Sequence, residues 1–384
     1  MSCGAKMSTM SNESNETNEI NETTEASSRP SVGLSERPHA ALAALLGLSQ
    51  RELTEASEDA RSEAGYLRYE LPKGNGKVRV INAPSERLKR AQRAILDQLL
   101  SRVPVSPFSH GFAIGKSIIT NARVHASTAR AVLNLDLQDA FPSVSAERVR
   151  RLLEWRVGPL LKVALPGLTP AERAELYEEL AALCCRDGVL PQGAPSSGYL
   201  LNLACARLDR KVYGLAMRSG LPQVRYSRYA DDLTLTSSAP IPPEFHLSVI
   251  RAITQSGFRV NPHKVHSYSD AQRAIVICGV RLHRGRLALP GATLKRYRAL
   301  INAVASTPSE EVDEVKRGEV MGVLGFLRHI YPSCPAPLLK PLNRLILAHP
   351  SWVKLPRERD DKATYRSFTY ADLQAMSLKT GGTP

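Results

Sequence analysis

A mixed α/β fold is what this 384-residue sequence predicts, on three observations. Residues Ala131 to Leu137 alternate strictly, Leu133, Leu135 and Leu137 to one side and Asn134 and Asp136 to the other, as a half-buried strand requires. Residues 224–229 and 233–236 are short β-branched, aromatic or aliphatic runs flanking Asp231 and Asp232, which reads as a β-hairpin with carboxylates at its tip. Around these lie stretches of helical period: Leu88, Ala91, Ile95 and Leu99; Leu201, Ala204, Leu208, Val212 and Leu215; Leu294, Tyr297, Ile301 and Val304.

The length allows two or three subdomains with a sizeable core. Formal charge is +14, with 51 Lys+Arg against 37 Asp+Glu. The first 36 residues hold Lys6 and Arg29 against six Glu, so they carry −4 and the remainder +18. A basic body favours polyanionic partners, nucleic acid first and acidic membrane second. Six cysteines show no Cys-x-x-Cys pair and no His at zinc spacing, the pattern of a reducing compartment and of a cytoplasmic protein. No apolar run approaches membrane-spanning length, and the N-terminus lacks a signal-peptide core, so no membrane partner is expected.

In order along the chain, residues 1–36 are rich in Ser, Asn, Glu and Thr, including the repetitive run Asn12 to Thr23, and are expected to be disordered. A helical stretch follows from Pro38 through Leu46. Residues Tyr66 to Ile81 read as two strands joined at Gly74-Asn75-Gly76, carrying Lys73, Lys77 and Arg79. A solvated basic hairpin explains those cations as well as phosphate binding does. Ser85 caps the helix bearing Leu88 to Leu99, which has a basic side at Lys89, Arg90 and Arg93.

Ser109-His-Gly-Phe-Ala113 and Asn121-Ala-Arg-Val-His125 each hold a histidine whose simplest reading is structural. Asp136 is then presented at a strand end, opposite the core, before Gln138-Asp-Ala-Phe-Pro-Ser143 turns the chain. Ala146 to Cys185 is expected to be largely helical, interrupted near Pro159 and Pro166. Gly188 to Gly198 is a breaker-rich loop opening a helix that ends at Gly220. After the acidic hairpin come a helix over 245–255, a strand and turn over 257–264, one apolar strand from Ala274 to Leu282, and basic helices from Gly291 onward, including Glu319 to His329. Tyr370-Ala-Asp-Leu373 imitates the acidic motif without its second Asp and is assigned no role.

Adjacent carboxylates repel, and a divalent cation is a direct way to keep both ionised. An Asp-rich turn is the plain alternative, since Asp favours turns. With Asp136 added, three carboxylates fall on strand ends. Such a cluster can hold two divalent ions that activate a hydroxyl and stabilise leaving pyrophosphate in nucleotidyl transfer. Mg²⁺ suits oxygen ligands completed by substrate phosphates, with Mn²⁺ a possible substitute.

Five ordered stretches carry a family resemblance: Lys-Val-Arg-Val-Ile at 77–81, Leu-Asp-Leu-Gln-Asp-Ala-Phe-Pro-Ser at 135–143, Leu-Pro-Gln-Gly-Ala-Pro at 190–195, Tyr-Ala-Asp-Asp at 229–232, and Gly-Phe followed by Asn-Pro-His-Lys across 257–264. In them the chain resembles a reverse transcriptase, an RNA-directed DNA polymerase, and most of all the bacterial retron type. The resemblance implies a right-hand polymerase architecture: fingers over 37–130 with help from 146–198, a palm over 131–145 and 199–285, and a helical thumb with C-terminal tail over 286–384. It implies Asp136, Asp231 and Asp232 as catalytic metal ligands, Asp232 less directly engaged. Arg79 would contact the triphosphate, Gln192 the incoming nucleotide, and Phe141 would be the gate against a 2′-hydroxyl, or packing alone. Lys264 would assist pyrophosphate departure.

Asn121 and His125 match the Asn-Ala-x-x-His signature of the retron group. Ile277-Cys278-Gly279 stands where that group has Val-Thr-Gly near the primer grip, a departure that bears on RNA specificity. With Lys295, Arg296 and Arg298 of the thumb, Asn121, His125, Ile277 and Gly279 are the expected RNA and primer contacts. The implied partners are a structured noncoding RNA that is template and 2′-hydroxyl primer, its branched cDNA product, deoxynucleoside triphosphates and an effector protein in phage defence. About fifty residues follow the thumb, too few for an RNase H domain, so a host RNase H is expected to degrade the template. Two other readings are another bacterial reverse transcriptase, group II intron-like or defence-associated, and an RNA-binding scaffold with a vestigial site.

Overall fold

The computed structural model describes residues 35–72, 78–283, 285–331 and 334–352. The Gly74-Asn75-Gly76 turn, Lys73, Lys77, Tyr370-Ala-Asp-Leu373 and nearly all of the acidic tail lie outside them. The tail expected to reach residue 36 yields earlier, because α1 (Glu36–Leu46) begins there.

Gly47, in the left-handed region at φ 68, ends α1 by returning its amide to the Ala43 and Ala44 carbonyls. Ser49 and Glu52 form a reciprocal capping box that starts α2 (Gln50–Arg61), a helix the sequence reading did not expect. Its apolar stripe is short, Leu53, Ala56 and Ala60, the first two buried and the third half-buried against the same core. Strands β1 (Tyr66–Pro72) and β2 (Val78–Pro84) pair antiparallel as expected, and Ser85 caps α3 (Glu86–Gln98). Next come α4 (Ile118–His125), capped by Ser117, and β3 (Ala131–Gln138).

The helical region after β3 contains α5 (Ala146–Leu152), a π-helical turn over Leu153–Val157, α6 (Gly158–Ala164) and α7 (Pro170–Cys184). Pro159 does not interrupt it, contrary to expectation. It sits in the first turn of α6, where its missing N–H costs nothing. Helix α8 (Ser197–Arg218) is buried along most of its length and lies against α9 (Pro243–Thr254) and the hairpin of β4 (Arg225–Tyr229) and β5 (Asp232–Ser237).

The central sheet runs β4-β5-β3, and the free edge of β3 takes two short strands in turn. β6 (Arg259–Val260) pairs with Leu137 and Gln138, and β7 (His266–Ser269) pairs with Ala131 to Asn134. Between them a 3₁₀ turn, Pro262–Lys264, stands out from the sheet opposite Asp136. The expected strand over 274–282 is instead a hairpin, β8 (Val276–Ile277) and β9 (Val280–His283), because Cys278 and Gly279 take φ of 46 and 78 at its tip. β10 (Arg286–Ala288) pairs with β9, and α10 (Gly291–Ala305), α11 (Glu314–Ile330) and α12 (Ala336–Ala348) complete the described chain.

Two apolar cores meet along β3. Leu133, Leu135 and Leu137 belong to the larger, with α1 to α3 and α5 to α9, whereas Val132 joins the smaller, built from α4, β8 to β10 and α10 to α12. Asp136 therefore does not face solvent as the alternation implied, and only 5% of it is exposed. The boundary expected at residue 130 also cuts across packing, since Ile119 and Ala122 of α4 belong to the second core.

Beneath the β4–β5 turn lies a fully buried ion pair. Arg228 Nε and Nη2 donate to Asp209 Oδ1 and Oδ2 at 2.8 and 2.9 Å, and Nη1 donates to Asn202 Oδ1 at 3.0 Å and to the Ala230 carbonyl at 2.7 Å. Removing one partner strands the other charge. Arg228→Met is expected to lose about 3–5 kcal/mol of unfolding free energy, and adding Asp209→Leu to recover much of it. Urea titrations of the two variants check this; equal loss in both would contradict it.

Candidate active site

The hairpin and β3 bring the three carboxylates together through backbone register. Asp136 is paired across the ladder with Asp232, and the Leu137 amide donates to the Asp231 carbonyl at 2.9 Å. Ala230, with φ 55, makes the tight turn that sets both Asp residues on the strand ends. Ser109-His-Gly-Phe pairs alongside β4, with the His110 amide on the Arg228 carbonyl and the Arg228 amide on the Phe108 carbonyl, each 2.8 Å. A Cβ on Gly111 would fall 2.5 Å from the Ala230 nitrogen, so only glycine lets this segment brace the acidic turn.

Lys264 reaches the site from the 3₁₀ turn at the β3 edge. Asn261 accepts the His263 amide on its side chain, and its own amide donates to the Asp136 carbonyl at 2.8 Å. That arrangement delivers Lys264 Nζ to Asp136 Oδ1 at 2.7 Å, and the contact raises the ammonium pKa. Arg79 on β2 adds positive charge felt at Asp231. Gln192 is half-buried; its carbonyl accepts the Asn82 amide at 2.8 Å, and Gly193, at φ 125, packs on Ile81 and Asn82, stapling the 190–195 loop to β2.

Burial raises the Asp231 carboxyl, and the charge of Asp136 adds to the effect. Asp232 keeps access to solvent, yet it is pushed up to about 7 by surrounding protein, then by the charges of Asp231 and Asp136. Among the described residues no three His, Cys, Asp or Glu side chains are gathered closely enough to hold a metal. In donor type the trio fits a hard divalent cation: all oxygens, mutually repelling, with an ammonium already drawn to one of them.

Phe141 lies in the turn after β3, not on a strand, half-buried with its ring centroid 6.2 Å from that of Phe112 in an edge-on contact. Phe112 is 54% exposed at φ 52, and its ring fills the space where Gly198 has no Cβ.

Residues 71–304 match the family described as reverse transcriptase (RNA-dependent DNA polymerase). The retron Mx65 reverse transcriptase of Myxococcus xanthus is 38% identical over 278 residues, covering 70% of this chain and 62% of that protein. The retron Mx162 enzyme of the same species is 32% identical over 82% of this chain and 68% of its own, and retron Ec86 reverse transcriptase of Escherichia coli is 32% identical over 70% and 77%. This chain belongs to the retron-type reverse transcriptases. It spans 62% of the length of the Mx65 protein.

Within this retron-type chain the two signature stretches meet, but below the surface. Asn121 Nδ2 donates to Cys278 Sγ at 3.3 Å, while Asn121 Oδ1 is buried without a partner. His125 bridges the acidic hairpin, Nδ1 to Thr236 Oγ1 at 2.8 Å and Nε2 to Ser227 Oγ at 2.7 Å, and burial lowers its pKa to about 3, so the ring is neutral. Asn121, His125 and Ile277 have at most 1% exposure, which corrects the expectation that they touch RNA or primer directly. Gly279 is exposed at the β8–β9 tip, and Lys295, Arg296 and Arg298 are exposed on α10.

The sequence reading missed Arg228, Asp209, Asn202 and Gly111. An arginine inside a strand otherwise destined for the core was the one available signal for the set.

A carboxyl whose pKa is raised on folding holds its proton more tightly in the folded chain, so its contribution to stability is present at low pH and lost as pH rises through the folded value. Asp232→Asn cannot ionise. With chelator present, its melting temperature is expected to exceed the parent's by a margin that widens between pH 5 and pH 8. A margin independent of pH would show that Asp232 carries no such strain.

Proposed function

We propose that the chain is an RNA-directed DNA polymerase of retron type, copying part of a structured noncoding RNA into single-stranded DNA. The observation that carries this is the convergence of Asp136, Asp231 and Asp232 on adjoining strand ends, with Lys264 and Arg79 beside them. Asp136, Asp231 and Asp232 would hold the divalent ions, Mg²⁺ or in its place Mn²⁺, whose chemistry is charge neutralisation at the attacking hydroxyl and the departing pyrophosphate. Arg79 takes part of the triphosphate charge. Phe141, backed by Phe112, bounds the sugar of the incoming nucleotide, and Gln192 lies at its side. Lys264 Nζ, drawn away from Asp136 as the substrate enters, would protonate the departing pyrophosphate.

Lys295, Arg296 and Arg298 supply backbone-reading cations of the kind that hold a duplex irrespective of sequence. Asn121 and His125 support recognition by fixing the β8–β9 tip and the acidic hairpin in place. Priming from an RNA 2′-hydroxyl, a branched RNA–DNA product, trimming by a host RNase H and a part in phage defence with an effector belong to the same reading, on the strength of the retron relatives. The described cysteines are all free, which supports a cytoplasmic setting, and no described helix is long and apolar enough to cross a membrane.

The test is to express the gene with its native flanking DNA, purify the protein and run its bound nucleic acid on a denaturing gel before and after RNase. A discrete DNA species that shortens with RNase but resists full digestion is expected, and Asp231→Ala with Asp232→Ala should abolish it while leaving folding intact. Undiminished DNA from the double variant would end the site assignment. DNA that begins at a free 3′ end or a protein hydroxyl would place the chain with another priming mechanism.

A further inference from the structure

A recess of about 580 Å³ lies between α5, the π-helical turn, α8 and the residues just after α9. None of the three carboxylates lines it, nor do Arg79, Phe141, Gln192 or Lys264. Its charged lining is Arg148, Arg151, Arg207 and Arg210 against Glu147 alone, so it is a basic recess.

Two of those arginines are committed within the fold. Arg148 Nη2 donates to the Ala204 and Ser256 carbonyls at 2.9 and 3.2 Å, and its guanidinium lies 4.6 Å from the Phe258 ring centroid. Arg151 holds Glu147 at 2.6 Å, and Glu147 is bound again by Arg150, so the single acid is neutralised twice over. Arg207 and Arg210 are exposed, and neither makes a hydrogen bond or ion pair among the described residues. They stand three residues apart on α8, on one helix face, where like charges repel unless an anion lies between them.

Beside them the π-helical turn Leu153–Val157 carries Trp155, which is 64% exposed. Single π turns recur at functional sites, and an exposed indole beside unpaired arginines is the pairing that single-stranded nucleic acid uses, phosphate on cation and base on ring.

We propose that this recess is a second nucleic-acid site, which holds a single-stranded segment with its phosphates on Arg207 and Arg210 and a base stacked on Trp155. Phosphodiester backbone and unpaired base are common to the RNA and to its DNA copy, so either strand can be the occupant. The site needs neither polymerisation nor metal, so its test is independent of the polymerase reading.

The chain has two tryptophans, Trp155 and Trp352, and in a Trp352→Phe background the remaining fluorescence reports the recess alone. Short single-stranded RNA and DNA oligonucleotides are titrated with unlabelled primer–template duplex saturating the cleft, in chelator and without nucleotides. Quenching of Trp155 is expected, and the tighter of the two oligonucleotides identifies the strand. Arg207→Gln with Arg210→Gln should weaken binding about tenfold or more and reduce the salt slope by about 1.4, since each phosphate contact on a single strand contributes about 0.7. Trp155→Ala, followed by anisotropy, should weaken it roughly 5- to 100-fold and Trp155→Phe much less. Extension of a short preformed primer–template should stay within about twofold of the parent in all of these variants, each checked for an unchanged melt. Unquenched Trp155, or full affinity and salt slope for both oligonucleotides in the arginine variant, would overturn the proposal and leave the recess to another anion, such as an acidic peptide. Loss with the arginine variant but none with Trp155→Ala would also overturn it, leaving a general anion patch.

Discussion

A guanidinium sealed from solvent must have its donors met, and meeting those of Arg228 fixes the geometry of the acidic hairpin. Its partners come from α8 through Asp209 and Asn202, and from the acidic turn through the Ala230 carbonyl. Asn202 in turn accepts Ser109 Oγ and donates to the Gly111 carbonyl, both at 2.7 Å, while Tyr226 donates its hydroxyl to Asp209. One charge pair thereby ties together a helix, the acidic hairpin and the segment flanking it. Such a pair adds little net stability over an apolar core, because desolvation offsets attraction. What it supplies is a single permitted position for the turn bearing Asp231 and Asp232.

The same region holds unfavourable terms that the rest of the chain sustains. Four non-glycine residues near the site have positive φ: Phe112, Asp139, Ala230 and Cys278. Strained backbone persists only where its surroundings over-determine it. Ala230 has Arg228 and Gly111 against it, and Phe112 has Gly198 behind its ring. The carboxylates add a second strain, since Asp232 ionises only against its burial and its neighbours. An all-oxygen trio that repels itself in this way is complementary to a hard cation, whose charge would relieve it.

Much of this was legible in sequence, for reasons that differ by element. β3 and the hairpin announce themselves by alternation, and α3 by an apolar stripe behind a Ser cap. α2 did not, because one leucine and two alanines sufficed where α3 and α7 cover it. Residues 274–282 look like a continuous apolar strand, and only the left-handed backbone at Cys278 and Gly279 divides them. The Asp trio was readable from motif spacing, whereas the Arg228 network was not. Asp209 lies next to the apolar stripe of α8, a place that signifies a solvated face until Asp209 itself is found fully buried beside Leu208 and Val212.

The two cores leave the placing of the acidic hairpin against the β8–β9 tip dependent on their junction. The acidic hairpin is anchored in the larger core, while the β8–β9 tip, expected to steady the primer, rests on the smaller one. α4 is what spans them: His125 binds both strands of the hairpin, and Asn121 holds the tip through Cys278. Two side chains one turn apart on this short helix therefore fix the hairpin relative to the tip. Its two ends are unequal. At His125 two hydroxyls meet a neutral imidazole at full hydrogen-bond strength, whereas at Asn121 a thiol is a weak acceptor and Oδ1 has no donor. The hairpin is thus held more firmly than the β8–β9 tip, and the weaker of the two attachments lies on the side of the smaller core.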